Sequence, residues 1–205
     1  TPAMVLMLLT LAMVVLIPKK DGAETISDFR PISFVHSVAK LITKVLSMRL
    51  SNVIDTIISP AQSAFLAKKS THDSYLYVQN AVRSLHRRKT PALLLKLDIA
   101  KAFDNVSWEY LLQLLQALGF PARRRDWIAM LLTTSTSSFL LNGAAGKKIL
   151  HCRGLRQGPL SPLLFIIAID PLHRLLQRAM ELGQLDPIPG RDLALRVSLY
   201  ADDVI

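Results

Sequence analysis

Three aspartates at the ends of apolar segments are the residues here whose types and spacing could do chemistry. Asp98 lies near the end of the run Leu93 to Ile99 (LLLKLDI), and Asp202 and Asp203 follow Tyr200-Ala201 after an apolar stretch that ends at Leu199. One aspartate at a strand end costs little when solvated and serves equally well as a turn residue. Two such strands side by side would differ, because converging carboxylates repel unless a cation sits among them. Oxygen ligands without His or Cys suit Mg²⁺, which keeps waters and takes phosphate oxygens to complete its shell. Two-metal phosphoryl transfer needs this arrangement, with cations about 3.5 to 4 Å apart flanking an attacking hydroxyl and a leaving pyrophosphate.

The elements that must position these groups can be read from the pattern. The Asp98 run follows Thr90-Pro91 and is apolar enough for a strand buried on both faces. Leu193 to Leu199 alternates apolar with small or polar residues, and Tyr200 to Asp203 forms a turn into Val204-Ile205, half of a hairpin. Upstream, Ala3 to Ile17 is apolar at all positions but one, then comes a turn at Asp21-Gly22 and extended chain at Arg30-Pro31, since the residue before proline avoids helix. Val38, Leu41, Ile42, Val45, Leu46, Leu50, Val53, Ile54 and Ile57 predict one amphipathic helix, ended by Ser59-Pro60. His36, Lys40 and Lys44 stripe another face of it, as a solvated edge or one that meets phosphates. A second helix starts near Thr71 to Asp73 and ends in His86, Arg87, Arg88 and Lys89, cations that suit a helix C-terminus with or without a nucleic acid. Ser107 caps a third helix closed by Gly119, Pro121 opens a fourth, and Phe139 to Leu141, Asn142-Gly143 and then Lys147 to His151 read as a hairpin whose turn is two residues or longer. Ser161 as N-cap with Pro162 starts a last helical run, which Pro171 should kink or divide near Asp170.

Bulk properties narrow the partners. In 205 residues, 51% are apolar and 20% charged, which excludes a disordered chain. Lys and Arg number 25 against 15 Asp and Glu, and the resulting +10 marks a polyanion partner or an acidic surface. Cys152 is the single cysteine, so an intrachain disulfide and a cysteine-based zinc site are excluded, and a reducing compartment, nuclear or cytoplasmic, is expected. The apolar opening is ended by Pro18-Lys19-Lys20, short of the roughly 20 residues that span a bilayer, so a buried strand or helix is expected there and no membrane partner. With no initial Met and an end inside a strand, the sequence reads as part of a longer polypeptide.

Six blocks in order resemble the reverse transcriptases of non-LTR (LINE-type) retrotransposons: LIPKK (Leu16 to Lys20), DFRPIS (Asp28 to Ser33), QSAF (Gln62 to Phe65), LKLDIAKAFDNVSW (Leu95 to Trp108), GLRQG with PLSP (Gly154 to Pro162) and YADD (Tyr200 to Asp203). YADD alone is weak; the ordered set is specific. The resemblance implies an α+β, right-hand polymerase fold: fingers over about 1–90, and a palm over 91–205 whose antiparallel sheet packs on helices. A fingers-side insertion falls near 120–152, and the thumb is absent. It implies catalytic roles for Asp98, Asp202 and Asp203, with two Mg²⁺ ions (Mn²⁺ as an alternative) held by Asp98, Asp202 and the Ile99 carbonyl. It implies nucleotide contacts from Lys19 and Arg30 to the triphosphate, from Phe103 as a gate under the incoming sugar, and from Gln157 and Gly158 in the pocket; a core-anchor role for Phe103 stays open. Lys101 and Asp104 suit an ion pair or cap as well as any catalytic role.

The implied partners are an RNA template, a DNA primer and a deoxynucleoside triphosphate, with Lys40, Lys44, Arg87 and Arg88 as candidate nucleic-acid contacts. The implied activity is RNA-directed DNA synthesis. A catalytically inactive relic that binds nucleic acid, or an intron-encoded maturase-type RNA binder, are the alternatives. One departure stands out. The family has a residue, usually Asp, between the Gly of RQG and the Pro of PLSP, whereas Gly158 here is followed directly by Pro159, shortening the link by up to about 3.5 Å.

Overall fold

The structure, a computed structural model, describes residues 11–186, 195 and 197–205. The chain forms two compact units, Thr1–Leu46 with Asp104–Pro159, and Ser47–Phe103 with Leu160–Ile205.

In the first unit, β1 (Leu11–Pro18) pairs antiparallel with β2 (Phe29–Val35) and parallel with β4 (Thr136–Leu141). The short strands β5 (Ala144–Ala145) and β6 (Ile149–Leu150) return antiparallel along β4. Alternation along β1 buries Ala12 and Val14 on one face. β2 is an outer strand, where Pro31 is tolerated because an edge position needs no N–H. α4 (Trp108–Ala117) is capped by Ser107, whose hydroxyl accepts from the Tyr110 N–H at 3.3 Å, and it buries Leu111 and Leu115. Gly119, at φ 78°, ends it, and α5 (Ala122–Thr133) packs beside it through Ile128 and Leu132.

In the second unit, β3 (Leu97–Asp98), β8 (Asp203–Val204) and β7 (Leu199–Tyr200) form an antiparallel sheet in the order β3-β8-β7. Val197, Leu199 and Val204 are buried with Ala61, and Ile99, Ile169, Leu172 and Leu176 pack against them. α6 (Ser161–Ile169) buries Leu163 to Ile167, and α7 (Pro171–Glu181) follows it directly. Pro171 divides the run, as its pattern predicts. At the junction the buried Asp170 accepts from the Ser59 N–H at 2.8 Å and meets Arg174 at 3.4 Å. α3 (Thr71–Arg87) starts with a reciprocal capping box between Ser70 and Asp73.

Four expectations are corrected. The helix predicted over 38–57 is two, α1 (Ser37–Ser51) and α2 (Ile54–Ile57), because Val53 N–H turns tightly back to Leu50 O at 3.0 Å, so that Ile54 is buried. The Asp98 run is not a strand buried on both faces. Among the described residues only Leu97 and Asp98 of the run are in register with another strand, β8 flanks one edge, and Leu93, Leu94 and Leu95 are 92%, 61% and 59% exposed. A run of leucines makes a doubly buried strand only where other elements cover both of its faces. Ser161 is not the N-cap of α6: Leu160 holds that place, without a side-chain cap. The hairpin turn is two residues, Asn142 and Gly143 at φ 49° and 80°, and its return strand starts at Ala144, earlier than the expected Lys147. Residues 3–10 of the apolar opening and 193, 194 and 196 of the alternating run lie outside the described residues; the rest of that opening is largely β1. Among the described residues no helix is long and apolar enough to cross a membrane.

Candidate functional site

The second unit brings the acidic residues together. Asp98 and Asp203 are direct partners in the β3–β8 register, so their side chains share one face of the sheet. Asp202 stands one residue before, in the turn, where its carbonyl accepts from the Ile99 N–H at 3.4 Å. Opposed carboxylates destabilise a strand pair unless positive charge intervenes. Here the described cation is Lys96, 3.7 Å from the Asp203 carboxylate and itself exposed. Asp98 and Asp203 are exposed and Asp202 is half-buried, which leaves their oxygens open to solvent and ligand. Among the described residues no group of three His, Cys, Asp or Glu side chains is gathered for a metal. The paired carboxylates are hard oxygen donors, which fit a divalent cation that completes its shell with water and substrate oxygens.

Phe103 stacks on Phe165 of α6, with ring centroids 4.3 Å apart and planes 21° from parallel. The buried Phe165 anchors its half-buried ring. A cleft of about 650 Å³ lies between α3 and the hairpin, lined by Tyr75, Val78, Val82, Lys96, Tyr200 and Asp203 among others.

In the first unit, Lys19 donates from Nζ to the Ser27 carbonyl at 2.7 Å. Lys20 pairs with Asp28 at 2.8 Å, and this contact, with the N–H and hydroxyl of Thr25, holds the Asp28 carboxyl down at about 2. Arg30 is exposed on β2. Gln157 reaches the outer edge of the same strand: its Oε1 accepts from the Ser33 N–H at 3.2 Å and its Nε2 donates to the Pro31 carbonyl at 3.4 Å. The neighbouring Arg156 is turned to β4, where its guanidinium meets the Thr136 carbonyl and the Ser137 hydroxyl, and burial lowers its pKa to about 10. Ser137 also bonds His151 Nε2 at 2.8 Å; burial, and then the Arg156 charge, lower the His151 pKa.

Gly154 sits at φ 86°, and a Cβ there would lie 2.7 Å from the Asp104 carbonyl oxygen. Its own carbonyl accepts from Trp108 Nε1 at 2.7 Å. A Cβ on Gly158 would meet nothing closer than 4.0 Å.

The candidate nucleic-acid cations are all exposed: Lys40 and Lys44 on α1, Arg87 at the end of α3 and Arg88 just beyond it. The first two belong to one unit and the second two to the other, as do the nucleotide candidates Lys19, Arg30, Gln157 and Gly158 against Asp98, Ile99, Phe103, Asp202 and Asp203. Sequence reasoning gave no role to two residues that the structure ties to these groups, Arg156 and Gln62, although both lie inside quoted blocks. For Gln62 the signal was a polar side chain in an otherwise apolar or small-residue segment, whereas Arg156, beside Gln157, had none.

Comparisons with known proteins supply the family and the fold. Residues 17–205 match the family model described as reverse transcriptase (RNA-dependent DNA polymerase). Over 195 residues the chain is 31% identical to an uncharacterized 149 kDa protein of transposon TX1 from Xenopus laevis, a match covering 95% of this chain and 15% of that protein. It is also 31% identical to a retrovirus-related Pol polyprotein of the type-1 retrotransposable element R2 from Popillia japonica, over 93% of this chain and 26% of that one. The Pol polyprotein of element R2DM from Drosophila melanogaster is 32% identical over 167 residues, 81% of this chain and 16% of the relative. The chain thus spans about a quarter or less of these relatives. Among solved structures, telomerase from Candida albicans, in complex with a fragment of telomeric RNA, superposes with a TM-score of 0.60 at 15% identity, covering 96% of this chain and 37% of that one. A Candida tropicalis telomerase gives 0.61 at 11% identity, with 96% and 43% covered. These structural likenesses show the fold, an α+β polymerase fold of fingers and palm, and the family match carries the identity: the chain belongs to the reverse transcriptase family and is similar throughout to the Pol proteins of non-LTR retrotransposons.

Proposed function

We propose that this chain carries the nucleotide-adding site of an RNA-directed DNA polymerase, with a DNA primer, an RNA template and a deoxynucleoside triphosphate as its ligands. The observation that carries the reading is the cross-strand pair of Asp98 and Asp203, with Asp202 in the turn beside them. Reverse transcriptases generally use divalent metals; the proposal here is two Mg²⁺ ions held by Asp98, Asp202 and the Ile99 carbonyl, with Asp203 adjacent. When bound, the cations would lower the cost of the charge that develops on the attacking and leaving oxygens.

The chain's own residues do the positioning. Phe103, braced by Phe165, presents a bulky ring that would exclude a ribose 2′-hydroxyl. Arg30 offers a forked guanidinium and Lys19 a point charge to phosphate oxygens. Gln157 binds the outer edge of β2, which supports a role in steadying the strand that carries Arg30 alongside its nucleotide contact. Gly158 has open space where a side chain would be, which supports close approach by a ligand.

Extension of a DNA primer on an RNA template, with Mg²⁺ and deoxynucleotides and with the chain in its parent polypeptide, tests the reading. Asp202→Ala should lower extension about a thousandfold, the equivalent of the several kcal/mol a catalytic cation supplies. Undiminished extension by that variant overturns the assignment. A second version with Asp inserted after Gly158 measures what the shortened link costs: extension by it alone would mean that the site is intact and the link is at fault.

A further inference from the structure

The turn that presents Asp202 and Asp203 is held from a distance by one side-chain oxygen. Gln62 is fully buried, and its Oε1 accepts three backbone N–H groups: those of Ser63 at 3.0 Å and Ala64 at 2.9 Å, and that of Ala201 at 3.3 Å. Ala201 is the residue between Tyr200 and Asp202, is itself buried, and stands at φ 54°. That left-handed conformation is one which alanine adopts only under compulsion. The backbone around Gln62 is clasped to the same strand. The Leu199 N–H donates to Ala61 O at 2.9 Å, the Ser63 N–H returns to Leu199 O at 3.0 Å, and Gln62 and Leu199 form a parallel bridge. β7 therefore has β8 on one edge and the 61–63 segment on the other.

Two features single out the amide. A buried N–H that loses its acceptor keeps the full cost of its desolvation, so the Ala201 conformation depends on Oε1. Among the described residues the Nε2 group of the same amide is buried without a partner, so the side chain is not kept for complete hydrogen bonding. An uncharged acceptor is what this place requires, since a carboxylate would add a fourth negative charge behind the three aspartates.

We infer that Gln62 is a positioning residue for the acidic turn, its carbonyl oxygen fixing Ala201 in the left-handed conformation that sets Asp202 and Asp203 against Asp98. The inference rests on the reading of those aspartates as a cation site, and the test keeps the two apart.

The 205-residue chain and four variants are compared by amide exchange at Ala201 and by Mn²⁺ binding followed through paramagnetic broadening. Gln62→Met keeps the volume and removes the acceptor; the Ala201 amide should exchange about tenfold faster or more, with Mn²⁺ affinity several-fold weaker. Gln62→Glu keeps an acceptor oxygen of the same reach and should retain Ala201 protection. Ser63→Ala removes the Ser63 hydroxyl beside Leu199 and should leave Ala201 protection unchanged, which separates the clamp from general loosening if Gln62→Met folds poorly. Unaltered Ala201 exchange in Gln62→Met overturns the clamp, and faster exchange with unaltered Mn²⁺ affinity overturns the positioning role. If Asp98→Asn leaves Mn²⁺ binding of the parent chain unchanged, the cation site falls, and the positioning role with it, while Ala201 exchange still decides the clamp.

Discussion

At the residue scale, the GLRQG block does more than line a pocket. Gly154 is required twice over, by its left-handed backbone and by the Asp104 carbonyl 2.7 Å from where a Cβ would lie. Gly154→Ala should cost about 2 kcal/mol or more, seen in a thermal melt as a drop of about 6 °C for a chain this size. The obstacle is backbone, so no side-chain rotation can relieve it. A melt within a degree of the parent would show that the Asp104 turn yields. Arg156 and Gln157 then face opposite duties from adjacent positions, one on β4 and one on β2. A motif read as nucleotide-facing is thus also a staple for its own sheet. Spacing shows that Gln157 is placed, but not that its amide meets main chain 124 residues earlier.

At the element scale, the connection from β1 to β2 is organised by one carboxylate. Asp28 closes a capping box with Thr25 and pairs with Lys20, while the Lys19 N–H donates to its carbonyl at 2.8 Å. Its pKa falls from 3.8 to about 2 because these contacts favour the charged form. A depressed carboxyl stabilises the fold above its unfolded pKa and loses that contribution as pH falls through the folded one. The 19–28 segment should therefore hold at pH 5 and loosen between about pH 4 and pH 2, which amide exchange of Thr25 reports; Asp28→Asn should remove the pH dependence. The end of α3 poses a different choice. Arg87 and Arg88 either complement the helix dipole alone or also meet phosphates. In the second case, replacing each with Ala should reduce the slope of log affinity against log salt, for a single-stranded RNA, by about 0.7 to 1. An unchanged slope assigns them to the helix.

At the scale of the whole molecule, what was legible in the sequence is what depends on neighbours along the chain. The start of α3 near Thr71, the Ser107 cap, the Asn142-Gly143 turn, the Pro171 division and the acidic hairpin all follow from local chemistry. What was not legible depends on neighbours in space. Gln62 lies 139 positions from Ala201, and nothing in its own surroundings announces that contact. The Leu93 to Leu97 run has the composition of a buried strand, and only the sheet order β3-β8-β7 shows one of its edges without a strand among the described residues. The +10 charge is likewise a property of the sum, and predicts polyanion binding without saying where.

That open edge bears on colloidal behaviour. Leucines that are 92%, 61%, 59% and 44% exposed, interrupted by Lys96 alone, form a short segment able to add a strand from another molecule. The outer strand of the other sheet lacks this hazard, because Pro31 has no N–H to offer and Gln157 already occupies its edge. Light scattering should show concentration-dependent growth of the isolated chain, and Leu95→Lys should suppress it by acting as a second gatekeeper charge. Scattering that is unaffected by that substitution would place the sticky surface elsewhere. The same leucines that lead into Asp98 would then set how concentrated a solution of this chain can become before it forms fibrils.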